Sequence, residues 1–273
     1  MKNASYWLDV PYVQRTPLDR DIQVDVVIIG GGITGVSAAY HCAKNGLKTA
    51  LVEKHSIASG SAGKNLGMVV EGLEIDLLEA AEKFGAAAAK GLWGKTVEAR
   101  DLTAALVREH LIECDMDASG SLYLARDSEY MDWLRKESAA RQDDGFSCRI
   151  MEKGKSADAG EEFAGSIFAG GLVAPKDCML DPVKFVRGLA HAAENFGLLI
   201  YENTDALRYD AHSVKTSNGT VSAKKVVLAI ESDTAEIEAG KTVVTRIQAV
   251  ATEPLSAEQF EKMDWNDIGG FWT

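Results

Sequence analysis

The first marked feature of the hydrophobic pattern is a continuous apolar run, Asp25-Val-Val-Ile-Ile-Gly30. An unbroken run of this length suits a parallel strand covered on both faces, and so predicts a strand in the middle of a sheet. The segment that follows starts with Gly30-Gly-Gly-Ile-Thr-Gly35 and then carries Val36, Ala39, Tyr40 and Ala43 at helical spacing. It stops at Asn45-Gly46, a sequence suited to ending a helix. Leu47 to Glu53 reads as a second strand. Strand, glycine turn, helix and strand in this order make a βαβ unit.

From Ile75 to about Cys114 the pattern is helical and rich in Ala and Leu, with Gly85, Gly91 and Gly94 as candidate breaks, so one helix or two are equally compatible with it. Strands are predicted at Gly120 to Ala125 and Ser166 to Val173, with a helix from Asp127 to Gln142 between them. Asp181-Pro182 predicts a helix start, because Asp accepts from orphan amides and Pro has none to satisfy; that helix runs toward Asn195. Short strands are predicted near Leu198-Ile200, Leu207-Tyr209 and Val214-Thr216, with Asn218-Gly219 as a hairpin turn. Lys225 to Ile230 reads as a buried strand, Thr242 to Thr252 as a long one, and Ser256 to Gln259 as a helix start.

With 273 residues, 46% of them hydrophobic, the chain exceeds the usual length of one compact domain and predicts two, the second inserted into the first. The formal net charge is -12 and the pI near 4.9, which leaves no broad basic face for nucleic acid. No run approaches the roughly 18 to 20 apolar residues needed to span a bilayer, and the polar N-terminus does not suit a signal peptide. A cytoplasmic protein with no membrane partner is therefore expected. Cys42, Cys114, Cys148 and Cys178 contain no CxxC pair and read as buried free thiols. The five histidines show no HxxxH or HExxH spacing, so no metal site is expected.

The chemistry lies in Gly30-x-Gly32-x-x-Gly35. The first glycine permits a tight turn, the second lets backbone approach a pyrophosphate, and the third lets helix pack closely on strand. A lone GxGxxG also serves ordinary packing. Here an apolar strand precedes it, a helix follows, and Glu53 ends the next strand 18 residues after Gly35. A carboxylate there can accept from both ribose hydroxyls and would repel a 2′-phosphate. The loop Ser59-Gly-Ser-Ala-Gly-Lys-Asn-Leu-Gly67, rich in small residues and donors, could wrap a flavin or be an ordinary polar loop.

These segments resemble the FAD-dependent amine and amino-acid oxidases of the D-amino-acid oxidase and glycine oxidase type, nearest the gamma-glutamylputrescine oxidoreductase-like branch. The resemblance is carried by Ser5-Tyr-Trp7, Asp25 to Gly35, Leu51-Val-Glu-Lys54, Gly60 to Gly67 with Val69 and Gly72, Asp181-Pro182 with Val186-Arg-Gly-Leu189, Lys225-Val-Val-Leu-Ala229 and Ala251-Thr-Glu-Pro-Leu255. It implies an α/β fold in which an interrupted Rossmann-like FAD-binding domain (1–80 and 181–235) carries an inserted α+β substrate domain (81–180 and 236–273). By the same resemblance, Gly30, Gly32 and Gly35 turn around the FAD pyrophosphate and Glu53 holds the adenosine ribose, flanked by Lys54. Ser61, Ala62, Lys64, Asn65, Leu66 and Gly67 would lie along the ribityl chain and flavin ring. Ala206 would meet the adenine through its backbone, and Ala229 would stand where a strand nears the cofactor.

The chain departs from the family pattern in several places. Ala62, Lys64 and Leu66 stand for a serine, an arginine and a glycine. Lysine lacks the planar donor fork of arginine, and leucine adds bulk where backbone of positive φ is expected. Ile230-Glu231 replaces a small polar pair and would crowd or repel the adenosine end. Relatives continue well past the matched region, so the chain reads as C-terminally truncated, with a partner chain as one source of the absent segment.

The implied reaction is hydride transfer from the carbon of an amine or amino acid, of the N-substituted glycine or gamma-glutamylated polyamine type, to flavin N5. No side chain is assigned as catalytic, because the cofactor carries the reactivity. The rival reading is a catalytically incompetent relative, acting as a fragment or a flavin-binding subunit. Trp93, Tyr123, Trp133, Trp265 and Trp272 could line an amine pocket or fill a core, and Lys64 could face the flavin or solvent.

Overall fold

The computed structural model describes residues 5–152, 168–231 and 252–259, together with the backbone of a strand at 270–272. The elements in chain order are β1 (Ile22–Ile29), α1 (Ile33–Lys44), β2 (Thr49–Val52), β3 (Met68–Val69), α2 (Leu77–Phe84), α3 (Ala86–Glu109), β4 (Ser121–Ala125) and α4 (Ser128–Asp143). They continue with β5 (Arg149–Glu152), β6 (Gly170–Ala174), β7 (Cys178–Met179), α5 (Pro182–Glu194), β8 (Leu199–Tyr201), β9 (Arg208–Tyr209), β10 (Ser213–Lys215), β11 (Thr220–Leu228) and β12 (Gly270–Trp272). Short 3-10 turns lie at Tyr6–Leu8 and Ser61–Gly63. No helix among the described residues is long and apolar enough to cross a membrane.

Two compact units emerge. One contains Met1–Leu66, Leu106–Cys114 and Asp181–Ala251; the other contains Gly67–Ala105, Asp115–Leu180 and Thr252–Thr273. Among the described residues, this grouping differs from the sequence-based limits in two places, each with a physical cause. Residues 67–80 group with the second unit, where β3 pairs antiparallel with β7. Leu106–Cys114 groups with the first, where Ile112 lies so close to Gly188 of α5 that a Cβ on that glycine would strike it.

The first unit is built on a six-stranded sheet of order β8-β2-β1-β11-β10-β9, with β1 in the interior as its apolar run predicts. β8, β2, β1 and β11 are parallel; β10 and β9 continue antiparallel. Val24, Val27, Ile29, Ala50, Val52, Val214 and Val221 form one buried cluster with Leu18, while Val26, Ile28 and Leu51 are buried from the alternate pleat positions. Each such valine, leucine or isoleucine contributes about 1.5–3 kcal/mol of burial. Helix α1 buries Gly35, Val36, Ala39, Tyr40 and Ala43, the stripe read from the sequence, and packs on α5. Helix α5 starts as expected, with the Asp181 carboxylate accepting from Val183 and Lys184 at 2.9 and 3.0 Å.

In the second unit, β12-β4-β6-β5 form a four-stranded sheet, with β12 parallel to β4 and the other pairs antiparallel. The helical stretch after Ile75 is two helices: Gly85 adopts φ +85° and breaks it, whereas Gly91 and Gly94 continue within α3. The fully buried Glu137 of α4 caps α2, accepting from the amides of Leu77 and Leu78 at 2.8 and 3.0 Å and from Arg141 Nε at 2.7 Å. Short β5 escaped the sequence reading. The predicted strand at Ser166 to Val173 begins at Gly170, positions 166–167 lying outside the described residues, as does the strand predicted at Thr242 to Thr252 except for its last residue. At Ser256 the expected helix start is present: its amide donates to Gln259 Oε1 at 2.8 Å, and its hydroxyl accepts from the Gln259 amide at 3.2 Å.

Arg100 sits buried in this unit between two carboxylates, with Nη1 at 2.5 Å from Glu71 and 3.3 Å from Asp177. It also donates to Asp101 from Nε and Nη2, and Ser121 donates to Asp177 at 2.6 Å. Burial pushes both the Glu71 and Asp177 carboxyls upward, against the lowering effect of Arg100. One oxygen of Glu71 is buried with no partner among the described residues. An acid whose folded value is raised adds stability that is complete below its unfolded value and is lost as pH rises through the folded one. The excess stability of the wild type over Glu71→Gln should therefore shrink as pH rises from about 4. Urea unfolding of both proteins at several pH values measures this, and a pH-independent difference would refute it.

Candidate functional site

The glycine turn joins three elements of the first unit. At the end of β1, Gly30 donates to Val52 O at 2.9 Å, and Ala229, just past β11, donates to Ile29 O at 2.9 Å. Gly30 takes φ +112°, and a Cβ there would collide with the Ala229 carbonyl. A Cβ on Gly35 would collide with the Gly30 carbonyl and lie 3.3 Å from the Ala229 methyl. The strand ends and α1 thus meet at a distance only glycine permits. Gly32 is different: a Cβ there would meet nothing within 4 Å.

Gly32 is also the N-cap of α1, with no side-chain cap and no acid in the first turn. The first helical bond is from Val36 N–H to Gly32 O, at 2.9 Å, which leaves the amides at the tip of α1 without an intrahelical acceptor. Such a tip, beside open space, suits an anion.

Glu53 follows β2 and turns its carboxylate to this turn, with Oε2 accepting from Gly31 at 2.6 Å and Oε1 from His55 at 2.8 Å. Each oxygen keeps a second lone-pair direction for a further donor. Lys54 is exposed beside it. The loop beyond forms the 3-10 turn Ser61–Gly63, with Ala62 and Gly63 buried. Lys64 is exposed, and Asn65 Nδ2 donates to Ala62 O at 3.0 Å and Ser61 O at 3.3 Å. Leu66 is 60% exposed and does not take positive φ; that conformation falls on Gly67, at +75°, so the leucine is accommodated without the strain expected at its position. Gly67 belongs to the second unit, where its carbonyl accepts from Leu180 at 2.9 Å.

Ala206 packs against the sheet core of the first unit. Glu231, in the left-handed region at φ +49°, accepts from the Ser61 hydroxyl, which ties it to the loop. Of the aromatic candidates, Trp93 is core, Tyr123 is bonded to the Tyr130 hydroxyl, and Trp133 donates to Asp76 at 2.8 Å. Trp265 and the Trp272 side chain lie outside the described residues. Cys114, Cys148 and Cys178 are buried, while Cys42 is only half-buried.

Sequence reasoning missed Glu202, which follows β8 as Glu53 follows β2. Fully buried, it accepts from Ile57 N–H at 2.6 Å, Arg15 N–H at 2.5 Å and the Tyr12 hydroxyl at 2.9 Å, anchoring the segment between Glu53 and the loop. Burial pushes the Tyr12 hydroxyl up to about 12. A second acid directly after a Leu-Ile-Tyr strand was the available signal.

A parallel sheet with a glycine turn, an uncapped helix tip and an acid after the neighbouring strand define a dinucleotide-binding protein. The family model for the FAD-dependent oxidoreductases, DAO, matches residues 25–271, and the chain belongs to that family, whose cofactor is FAD. It is 26% identical over 257 residues to gamma-glutamylputrescine oxidoreductase of Escherichia coli, covering 90% of this chain and 59% of that protein. It is likewise 26% identical over 255 residues to the probable oxidoreductase OrdL of Haemophilus influenzae, covering 89% of this chain and 58% of the relative. The crystal structure of glycine oxidase from Geobacillus kaustophilus aligns with a TM-score of 0.60 at 25% identity, covering 76% of this chain and 55% of that one. The chain thus spans somewhat under three fifths of the length of these relatives.

Two glycine variants separate fold from cofactor binding. Gly35→Ala should lower the melting temperature of the cofactor-free protein by roughly 5 °C or more, since its methyl meets backbone. Gly32→Ala should leave that melting temperature unchanged and weaken FAD binding about tenfold, ~1.4 kcal/mol, because its methyl projects into the space before the helix tip. Calorimetry and FAD titration check both; undiminished FAD affinity in Gly32→Ala would argue against this face as the site.

Proposed function

We propose that this chain binds FAD on its first unit and oxidises the C–N bond of a small amine or amino acid, of the N-substituted glycine or gamma-glutamylated polyamine type. The observation that carries the reading is the uncapped N-terminus of α1 beside the open face of Gly32, with the Glu53 carboxylate bonded to the same turn. The residues present fit the diphosphate end of such a cofactor. The α1 amides would face the diphosphate, and Glu53, flanked by Lys54, would take the ribose hydroxyls through its remaining lone pairs. Ala206 and Ala229 would border the adenosine side. Ser61, Ala62, Lys64, Asn65, Leu66 and Gly67 would follow the remainder of the cofactor.

FAD, when bound, supplies the acceptor for a hydride leaving the nitrogen-bearing carbon, and water then hydrolyses the resulting imine to a carbonyl compound and an amine or ammonia. The protein's share is to hold the cofactor, orient a neutral amine and limit water, none of which needs a side-chain acid. The substrate class is supported by relatives named for gamma-glutamylputrescine and for glycine. The second unit, with its mixed four-stranded sheet, would hold the substrate, and the cytoplasm is the location we assign.

The test is to purify the chain, titrate FAD, and add an N-alkylglycine or a gamma-glutamylated diamine without oxygen. The expected result is a yellow protein whose flavin band bleaches with one of the two amines. Bound flavin that neither bleaches would favour a flavin-binding subunit without turnover; a chain that stays colourless with excess FAD would overturn the reading.

A further inference from the structure

The N-terminal turn makes contacts that the cofactor reading leaves unused. Ser5 caps Tyr6–Leu8, its hydroxyl oxygen accepting from Trp7 N–H at 3.2 Å. The same hydroxyl donates to Gly63 O at 2.5 Å, and the Trp7 indole Nε1–H donates to Asn65 O at 2.8 Å. Leu8 lies against the same loop, near enough that a Cβ on Gly63 would come within 3.0 Å of its side chain. Three residues of one short turn therefore hold a loop 58 positions further along the chain.

These contacts complete a pattern in the loop. Gly60 O accepts from the Gly63 amide at 3.1 Å, Ser61 O from the Lys64 amide at 2.9 Å, and Ala62 O from Asn65 Nδ2 at 3.0 Å. With Gly63 O given to Ser5 and Asn65 O to Trp7, the carbonyls of 60, 61, 62, 63 and 65 are all engaged within the protein. A diphosphate and a flavin are both rich in acceptor oxygens, and free carbonyl lone pairs facing them would repel. A segment as small as Ser-Ala-Gly also has much backbone freedom to lose on binding, so holding it in one form beforehand lowers that cost.

We propose that the turn Ser5–Leu8 is a positioning element of the FAD site, presetting the loop Ser61–Asn65 to receive the cofactor. This rests on the FAD reading above. Ser5 and Trp7 act through the loop and are positioning residues, not catalytic ones.

The experiment compares full-length wild type, Ser5→Ala, Ser5→Thr and Trp7→Phe. Three quantities are measured: FAD affinity by titration, melting temperature of the cofactor-free protein, and visible circular dichroism of the flavin at saturation. Ser5→Ala and Trp7→Phe should each weaken FAD binding about threefold to tenfold, the loss expected for one hydrogen bond. Both should alter the flavin dichroism with little change in the cofactor-free melting temperature, and Ser5→Thr, which keeps a hydroxyl, should restore affinity. If wild type binds FAD and the variants match it in affinity and dichroism, the positioning role is wrong and the FAD reading stands. Weakening that merely follows a fallen melting temperature, with unaltered dichroism, also overturns the role by reducing it to general stability. A wild-type chain that does not bind FAD removes both.

Discussion

The cofactor side of this protein depends on one close approach, the meeting of Gly30, Gly35 and Ala229 where β1, α1 and the end of β11 converge. No side chain fits between them, so the helix leaves the strand directly and its first amides emerge uncapped beside the open face of Gly32. The geometry that packs helix on sheet is the geometry that leaves this helix tip open. Glu53 stabilises the turn by taking the Gly31 and His55 amides, and the turn in return fixes where that carboxylate stands.

Paired acids after adjacent strands show how burial separates two roles. Glu53 and Glu202 follow neighbouring strands, β2 and β8, and both accept backbone amides. Glu202 is wholly buried and its three donors satisfy it, so it serves the fold by holding Ile57 and the N-terminal segment. Glu53 is only partly covered and retains capacity for a ligand. The second unit uses buried charge structurally as well: Glu137 accepts from the first amides of α2, and Arg100 joins Glu71 to Asp177. Breaking such pairs leaves an uncompensated charge inside the protein, which is why single substitutions there are costly.

The residues at which the chain departs from the pattern it resembles are held in different ways. Leu66 is tolerated because the left-handed conformation lies one residue later, on Gly67. Glu231 accepts from the Ser61 hydroxyl, so its carboxylate joins the segment after β11 to the loop. Lys64, exposed, replaces a planar donor group by a point charge at the same place in the sequence.

Local pattern was enough for much of the architecture. The apolar run before Gly30 marked an interior strand, the spacing of Val36, Ala39, Tyr40 and Ala43 marked a buried helix face, and Asp181-Pro182 marked a helix start, because each reflects forces acting within a few residues. The glycine spacing with Glu53 marked the class of ligand for the same reason. Tertiary structure decided what depends on distant partners: that residues 67–80 group with the second unit through β3 and β7, that Glu202 and Glu137 are buried as satisfied acceptors, that Glu231 reaches Ser61, and that Ser5 and Trp7 hold the loop. A hydrogen bond spanning 58 residues leaves no periodic trace in a sequence, since its acceptors are ordinary backbone carbonyls and only the completed fold brings the Ser5 and Trp7 side chains to them.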